Sequence, residues 1–89
     1  MAVDSYPNLL EDVQKSMGEY GKVSPEIMEG FQKLHQAASS DGALSAKEKE
    51  LIALAIGIVV RCDGCIAFHV HDALEAGATE AEIADTIGV

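Results

Sequence analysis

Apolar residues recur at helical spacing through most of this 89-residue chain, and in one place they fuse into a continuous run. Leu9, Leu10, Val13 and Met17 stand three to four positions apart, which predicts a first helix from Pro7 to about Gly18 or Tyr20. Residues 1 to 5 are expected to be loose, and Gly21-Lys22-Val23 reads as a turn. Ser24-Pro25 then has the form of an N-cap followed by proline at the first helical position. Behind it Ile27, Met28, Phe31, Leu34 and Ala38 form one stripe, so a second helix is expected to about Ala38, with Met28 and Phe31 in the core. Ser39-Ser40-Asp41-Gly42 is a loop by residue type.

From Ser45 onward the pattern changes. Ser45 and Glu48 make a capping box, in which the serine accepts from the N–H of residue 48 and the glutamate reaches back to the N–H of residue 45. The helix it opens holds the unbroken apolar run Leu51 to Val60. A helix that is apolar on every side has to be covered on every side. The few remaining helices can hardly do this, so partner subunits of a homo-oligomer are expected to. The run is too short to span a bilayer, which needs about 20 residues, so no membrane role is expected. Arg61 to Gly64 holds a turn and the start of a fourth helix, on which Ile66, Val70, Ala73 and Leu74 share one side. Gly77 ends it in the position glycine favours, and a second capping box, Thr79 with Glu82, opens a fifth helix towards Val89. The expected fold class is therefore all-α: one domain over residues 1–89, a helical bundle completed by oligomerisation.

Charge narrows the function. Six Lys and Arg stand against fifteen Asp and Glu, a net charge of −9, and the basic residues are scattered. Such a chain repels phosphate backbones, so nucleic acid is not an expected partner. The start Met-Ala-Val-Asp-Ser-Tyr-Pro has neither a basic nor an apolar leader region, which makes the cytoplasm the expected location. In that reducing compartment a cysteine pair points to catalysis or metal binding more than to a structural staple.

The chain has two cysteines, Cys62 and Cys65, in a C-x-x-C. Haem attachment would need histidine directly after the second cysteine, where Ile66 stands, and a structural zinc site needs four ligands. On a helix at about 100° per residue, Cys62, Cys65 and His69 fall within about 60° of one another, whereas His71 points the opposite way. That leaves His71 a solvated or subunit-facing residue. It leaves redox chemistry, metal binding and inert burial as readings of the pair, with the shared face favouring the first. If helices three and four pack antiparallel about Arg61, Glu50 on the first comes opposite His69 on the second to within about one turn. Glu48 already has a capping role, so Glu50 is the carboxylate available for chemistry. His35, Tyr6 and Tyr20 fit no pattern and read as surface or partly buried packing.

The run from Ser45 to Ile83 resembles the AhpD-like alkylhydroperoxidase branch of the carboxymuconolactone decarboxylase superfamily. The signature is a glutamate, eleven residues, Cys-x-x-Cys, three residues and a histidine, here Glu50, Cys62, Cys65 and His69, and the Ala-Gly-Ala-Thr-x-x-Glu-Ile stretch that follows is also typical. The resemblance implies an AhpD-like bundle and a thiol-dependent peroxidase or disulfide oxidoreductase with no organic cofactor or metal. By it, Cys65 attacks a hydroperoxide and passes through a sulfenic acid. Cys62 supplies a proton and closes the disulfide, and Glu50 and His69 form the proton relay. The reductant would be an external dithiol or a thioredoxin- or lipoyl-type protein. Some members carry a further histidine just before the second cysteine, where this chain has Gly64. Members usually continue beyond the equivalent of Val89, so a shortened last helix is expected. The rival readings are a lactone enzyme of the decarboxylase type, which would not need the cysteines, and a non-catalytic metal-binding helical module.

Overall fold

The computed structural model describes residues 3–89. Five helices follow in order: α1 (Tyr6–Val23), α2 (Pro25–Ser39), α3 (Ala46–Val59), α4 (Asp63–Glu75) and α5 (Glu80–Gly88). Among the described residues there is no strand, and no helix is long and apolar enough to cross a membrane. The all-α expectation holds.

The start of the chain is better held than its composition implied. Residues 1 and 2 lie outside the described residues, but Ser5 caps α1 by accepting from the Asn8 N–H at 3.4 Å. The expected turn at Gly21-Lys22-Val23 is instead the last turn of α1. Glycine there answers to packing: a Cβ on Gly21 would come within 3.3 Å of the Met28 side chain on α2. One residue, Ser24, joins the two helices. Its N–H bonds to the Tyr20 carbonyl and its own carbonyl accepts from Met28, while its side chain makes no capping bond. The anticipated serine cap is thus a backbone link.

Both capping boxes form, Ser45 with Glu48 at 3.0 and 3.1 Å, and Thr79 with Glu82 at 2.9 and 3.1 Å. The loop before α3 adds a further restraint, because the Asp41 carboxylate accepts from the Ala46 N–H at 2.7 Å.

The buried centre belongs to α3 and α4, the most extensively packed pair. Leu54 is 1% exposed, Ala67 and Ala73 are buried beside it, and Ala78 closes the far end. Burial of Leu54 contributes about 1.5–3 kcal/mol. Gly57 lets the two helices meet closely, since a Cβ there would stand 3.1 Å from the Cys65 Cβ. α1 lies against α2 and α4, and α5 against α3.

The α2 stripe does not reach this core. Phe31, expected inside, is half exposed and stacks on His35 with ring centroids 6.0 Å apart, and Ile27 and Leu34 are exposed beside it. The apolar run of α3 divides in the same way. Leu54 and Gly57 face α4, whereas Ile52, Ile56, Val59 and Val60 look outward.

Candidate active site

The turn that delivers the cysteines is a helix ending of the Schellman type. The Cys62 N–H reaches the Gly57 carbonyl at 3.0 Å and the Arg61 N–H reaches Ile58 at 3.1 Å. This closure requires a left-handed residue, and Arg61 supplies it with φ 57°, the one positive-φ residue other than glycine among those described. Cys62 follows as the N-cap of α4, its Sγ accepting from the Cys65 N–H at 3.1 Å. A helix that begins this way puts its positive end against the Cys62 sulfur. Cys62 and Cys65 are joined as a disulfide, with Cα atoms 5.2 Å apart.

Asp63, inside the pair, is tied to the start of the chain. The Tyr6 hydroxyl donates to its carboxylate at 3.1 Å, and the nearby carboxylate holds the Tyr6 phenol above its ordinary value of 10.0. Sequence pattern had given Tyr6 no such role. Alongside this contact an apolar groove of about 370 Å³ runs between α1 and α4, lined chiefly by Pro7, Leu10, Ile66, Val70 and the half-exposed Leu74.

Four residues beyond Cys65, and therefore on the same helix face, His69 meets Glu50 across the α3–α4 interface. Its Nδ1 lies 2.8 Å from Glu50 Oε2. The Glu50 side chain is 9% exposed and that of His69 23%. An ionised carboxylate only accepts; against an ionised Glu50, Nδ1 would carry the proton and the imidazole lone pair would fall on Nε2. A buried carboxylate without a partner would be severely destabilising; His69 is that partner. The antiparallel register expected from the sequence is the one that brings these two side chains together.

Asp72 was not anticipated. It offers an oxygen within 4.8 Å of donor atoms on both Glu50 and His69. Three such groups can hold a cation, but here Nδ1 and Oε2 already satisfy each other, and the cluster has the form of a hydrogen-bonded acid–base set. His71 is not bonded to this pair, and its side chain is about half exposed. Its Nδ1 bonds to Asp72 Oδ1 at 3.0 Å.

The sequence model of the carboxymuconolactone decarboxylase family matches residues 25–89. The chain is a carboxymuconolactone decarboxylase family protein. An apo crystal structure of a carboxymuconolactone decarboxylase family protein from Legionella pneumophila superposes with a TM-score of 0.89 at 40% identity, over 97% of this chain and 77% of that one. Uncharacterized relatives include a Cupriavidus necator protein, 36% identical over 90% of this chain and 71% of its own length. Another, from Haemophilus influenzae, is 47% identical over 68% of this chain and 54% of its own. Glu50, Cys62, Cys65, His69 and Asp72 all lie within the region matched to the family, whereas Tyr6, which holds Asp63, precedes it.

Proposed function

We propose that this family member is an AhpD-like, thiol-dependent hydroperoxidase and disulfide oxidoreductase of the cytoplasm. The observation that carries the reading is a joined Cys62–Cys65 pair one helical turn from a histidine whose Nδ1 is held by a buried glutamate. With Nδ1 occupied, Nε2 of His69 is the base, and Glu50 stabilises the imidazolium that forms. In the reduced protein His69 takes the Cys65 proton and the thiolate attacks the hydroperoxide. The O–O bond breaks, the departing alkoxide recovers the proton as ROH, and Cys65 becomes a sulfenic acid.

Cys62 then attacks that sulfur. Its position against the start of α4 favours its thiolate, and hydroxide leaves as water with the remaining thiol proton. The sum is ROOH plus two thiols giving ROH, water and the disulfide. A dithiol, small or carried on a thioredoxin- or lipoyl-type protein, returns the two electrons by thiol–disulfide exchange. The outward apolar rows of α2 and α3 are read as surfaces between copies of the chain, for which light scattering at rising concentration is the check. A monomer at all concentrations would end that part of the reading.

The deciding experiment is mass spectrometry of reduced protein before and after one equivalent of hydroperoxide, with alkylation of free thiols. Loss of both alkylation sites, restored by dithiothreitol and abolished in Cys65→Ser, is expected. Two thiols that still alkylate after peroxide would overturn the peroxidase reading. A lactone activity that persists with serine at both positions would put the decarboxylase reading in its place.

A further inference from the structure

Arg61 stands directly before Cys62 at φ 57°, a conformation that glycine or asparagine adopts with less strain. Strained residues of this kind cluster at sites where the side chain has a task. The Arg61 side chain is exposed, and among the described residues it makes no ion pair. The nearest lysines along the chain, Lys47 and Lys49, sit at the other end of α3, about 15–18 Å of helix away. Both are engaged, Lys47 with the Glu82 carboxylate at 2.8 Å and Lys49 with the Ser40 carbonyl at 2.6 Å. Lys22 and Lys33 pair with Glu19 and Glu29 inside their own helices. Arg61 alone among the basic residues adjoins a cysteine in the chain.

The carboxylate nearest to it along the chain is already held. Asp63 follows two residues later, and its Oδ1 accepts from the Tyr6 hydroxyl at 3.1 Å. A phenol satisfies the carboxylate without bringing a positive charge, so the Arg61 guanidinium stays open to an anion from outside. The rest of this chain, at net charge −9, repels such a molecule.

Resting on the thiol-redox reading above, we infer that Arg61 is a specificity-determining residue for the electron donor, and that the donor it favours is a small dithiol bearing a carboxylate. The carboxylate pairs with the guanidinium while the thiols reach the adjoining disulfide. One donor thiol, as its thiolate, attacks; the Cys62–Cys65 bond breaks and a mixed disulfide forms. The second donor thiol then displaces the protein sulfur and closes the donor's own disulfide. Two electrons pass to the protein, and the donor's two thiol protons end on Cys62 and Cys65.

The test compares dihydrolipoate with dihydrolipoamide, which carry the same thiols and differ in a carboxylate against a neutral amide. Reduction of the oxidised protein by each is followed by timed alkylation and mass spectrometry, and the two second-order rate constants are taken as a ratio. The ratio cancels any change in the reactivity of the protein disulfide itself. Arg61→Asn removes the charge and tolerates positive φ; it is expected to lower the ratio about threefold, the effect of one exposed charge at close range in water. Arg61→Lys should keep the ratio near the parent's, and added salt should lower the parent's towards that of Arg61→Asn. Tyr6→Phe frees Asp63 to pair with Arg61 and should lower it part of the way. A ratio unchanged in Arg61→Asn, or lowered as far by Arg61→Lys, overturns the inference. A ratio in Tyr6→Phe at or above the parent's overturns the part given to that contact. Arg61→Gly, which relieves the backbone strain, keeps the test open if Arg61→Asn folds poorly. A disulfide that neither donor reduces would defeat the thiol-redox reading instead, whereas reduction by both at a ratio indifferent to Arg61 defeats this inference alone.

Discussion

At the end of α3 the Cys62 N–H reaches back to Gly57 and the Arg61 N–H to Ile58. At the end of α4 the Ala78 N–H reaches Ala73 and the Gly77 N–H reaches Leu74. The two closures share one hydrogen-bond pattern and one backbone requirement, a residue at positive φ between the bonds. α4 meets it with glycine at φ 94°, and α3 with arginine at φ 57°. For an L-residue that conformation costs about 1–2 kcal/mol, which glycine avoids. The difference lies beside the proposed site: the ordinary ending leads to a connection, and the strained one delivers Cys62 to the start of α4.

The comparison can be broken from the α4 side with the largest effect. Gly77→Val puts a β-branched residue at φ 94° and should cost about 2 kcal/mol, read as a lower urea midpoint at unchanged slope. An unchanged midpoint would mean that the end of α4 readily adopts another closure. From the α3 side, Arg61→Gly should raise stability by about 0.5 kcal/mol, the relief of strain exceeding the added freedom of the unfolded chain. A loss instead would show that the arginine side chain offsets its own backbone strain.

The smallest effect concerns the opposite ends of helices. Glu48 is held below its ordinary value of 4.5 by its bonds to Ser45, and Glu82 by Lys47 first and then by its capping bonds to Thr79. Carboxylates lowered on folding contribute stability that is fully present above 4.5 and lost as pH falls through the folded value. Gln at either position keeps a capping amide oxygen but removes the titration. Glu48→Gln and Glu82→Gln should therefore flatten the acid limb of a stability–pH curve by lowering its neutral region towards the acid level, Glu82→Gln more because it also loses the Lys47 ion pair. An acid limb as steep as the parent's would assign the pH dependence to other groups.

These endings also show what the sequence could reveal. Gly77, both capping boxes and the Glu50-to-His69 spacing are local or periodic signals, and the helices they imply are present. Nothing in the residue type of Arg61 announces a left-handed backbone. Gly21 resembles a turn residue because glycine is used both where the chain bends and where another helix must come close. The Met28 contact that decides between them lies on the next helix. Phe31 has core spacing, but helical spacing only says which residues share a side, and the described chain leaves that side of α2 open. Asp72 escaped notice because its importance depends on Glu50, 22 positions earlier, which no pattern along α4 contains.

The sulfur that caps α4 also changes its character with oxidation. In the disulfide, Cys62 Sγ is a weak acceptor for the Cys65 N–H; as a thiolate it would be a charge-assisted one. Electron transfer and helix firmness are therefore two faces of one equilibrium. Whatever tightens the first turn of α4 draws the pair towards its reduced form, and whatever frays that turn makes the disulfide the more favoured state. On the proposed thiol-redox reading, how well this helix begins is one determinant of how readily the thiols give up electrons, so substitutions away from sulfur can retune it without touching either cysteine.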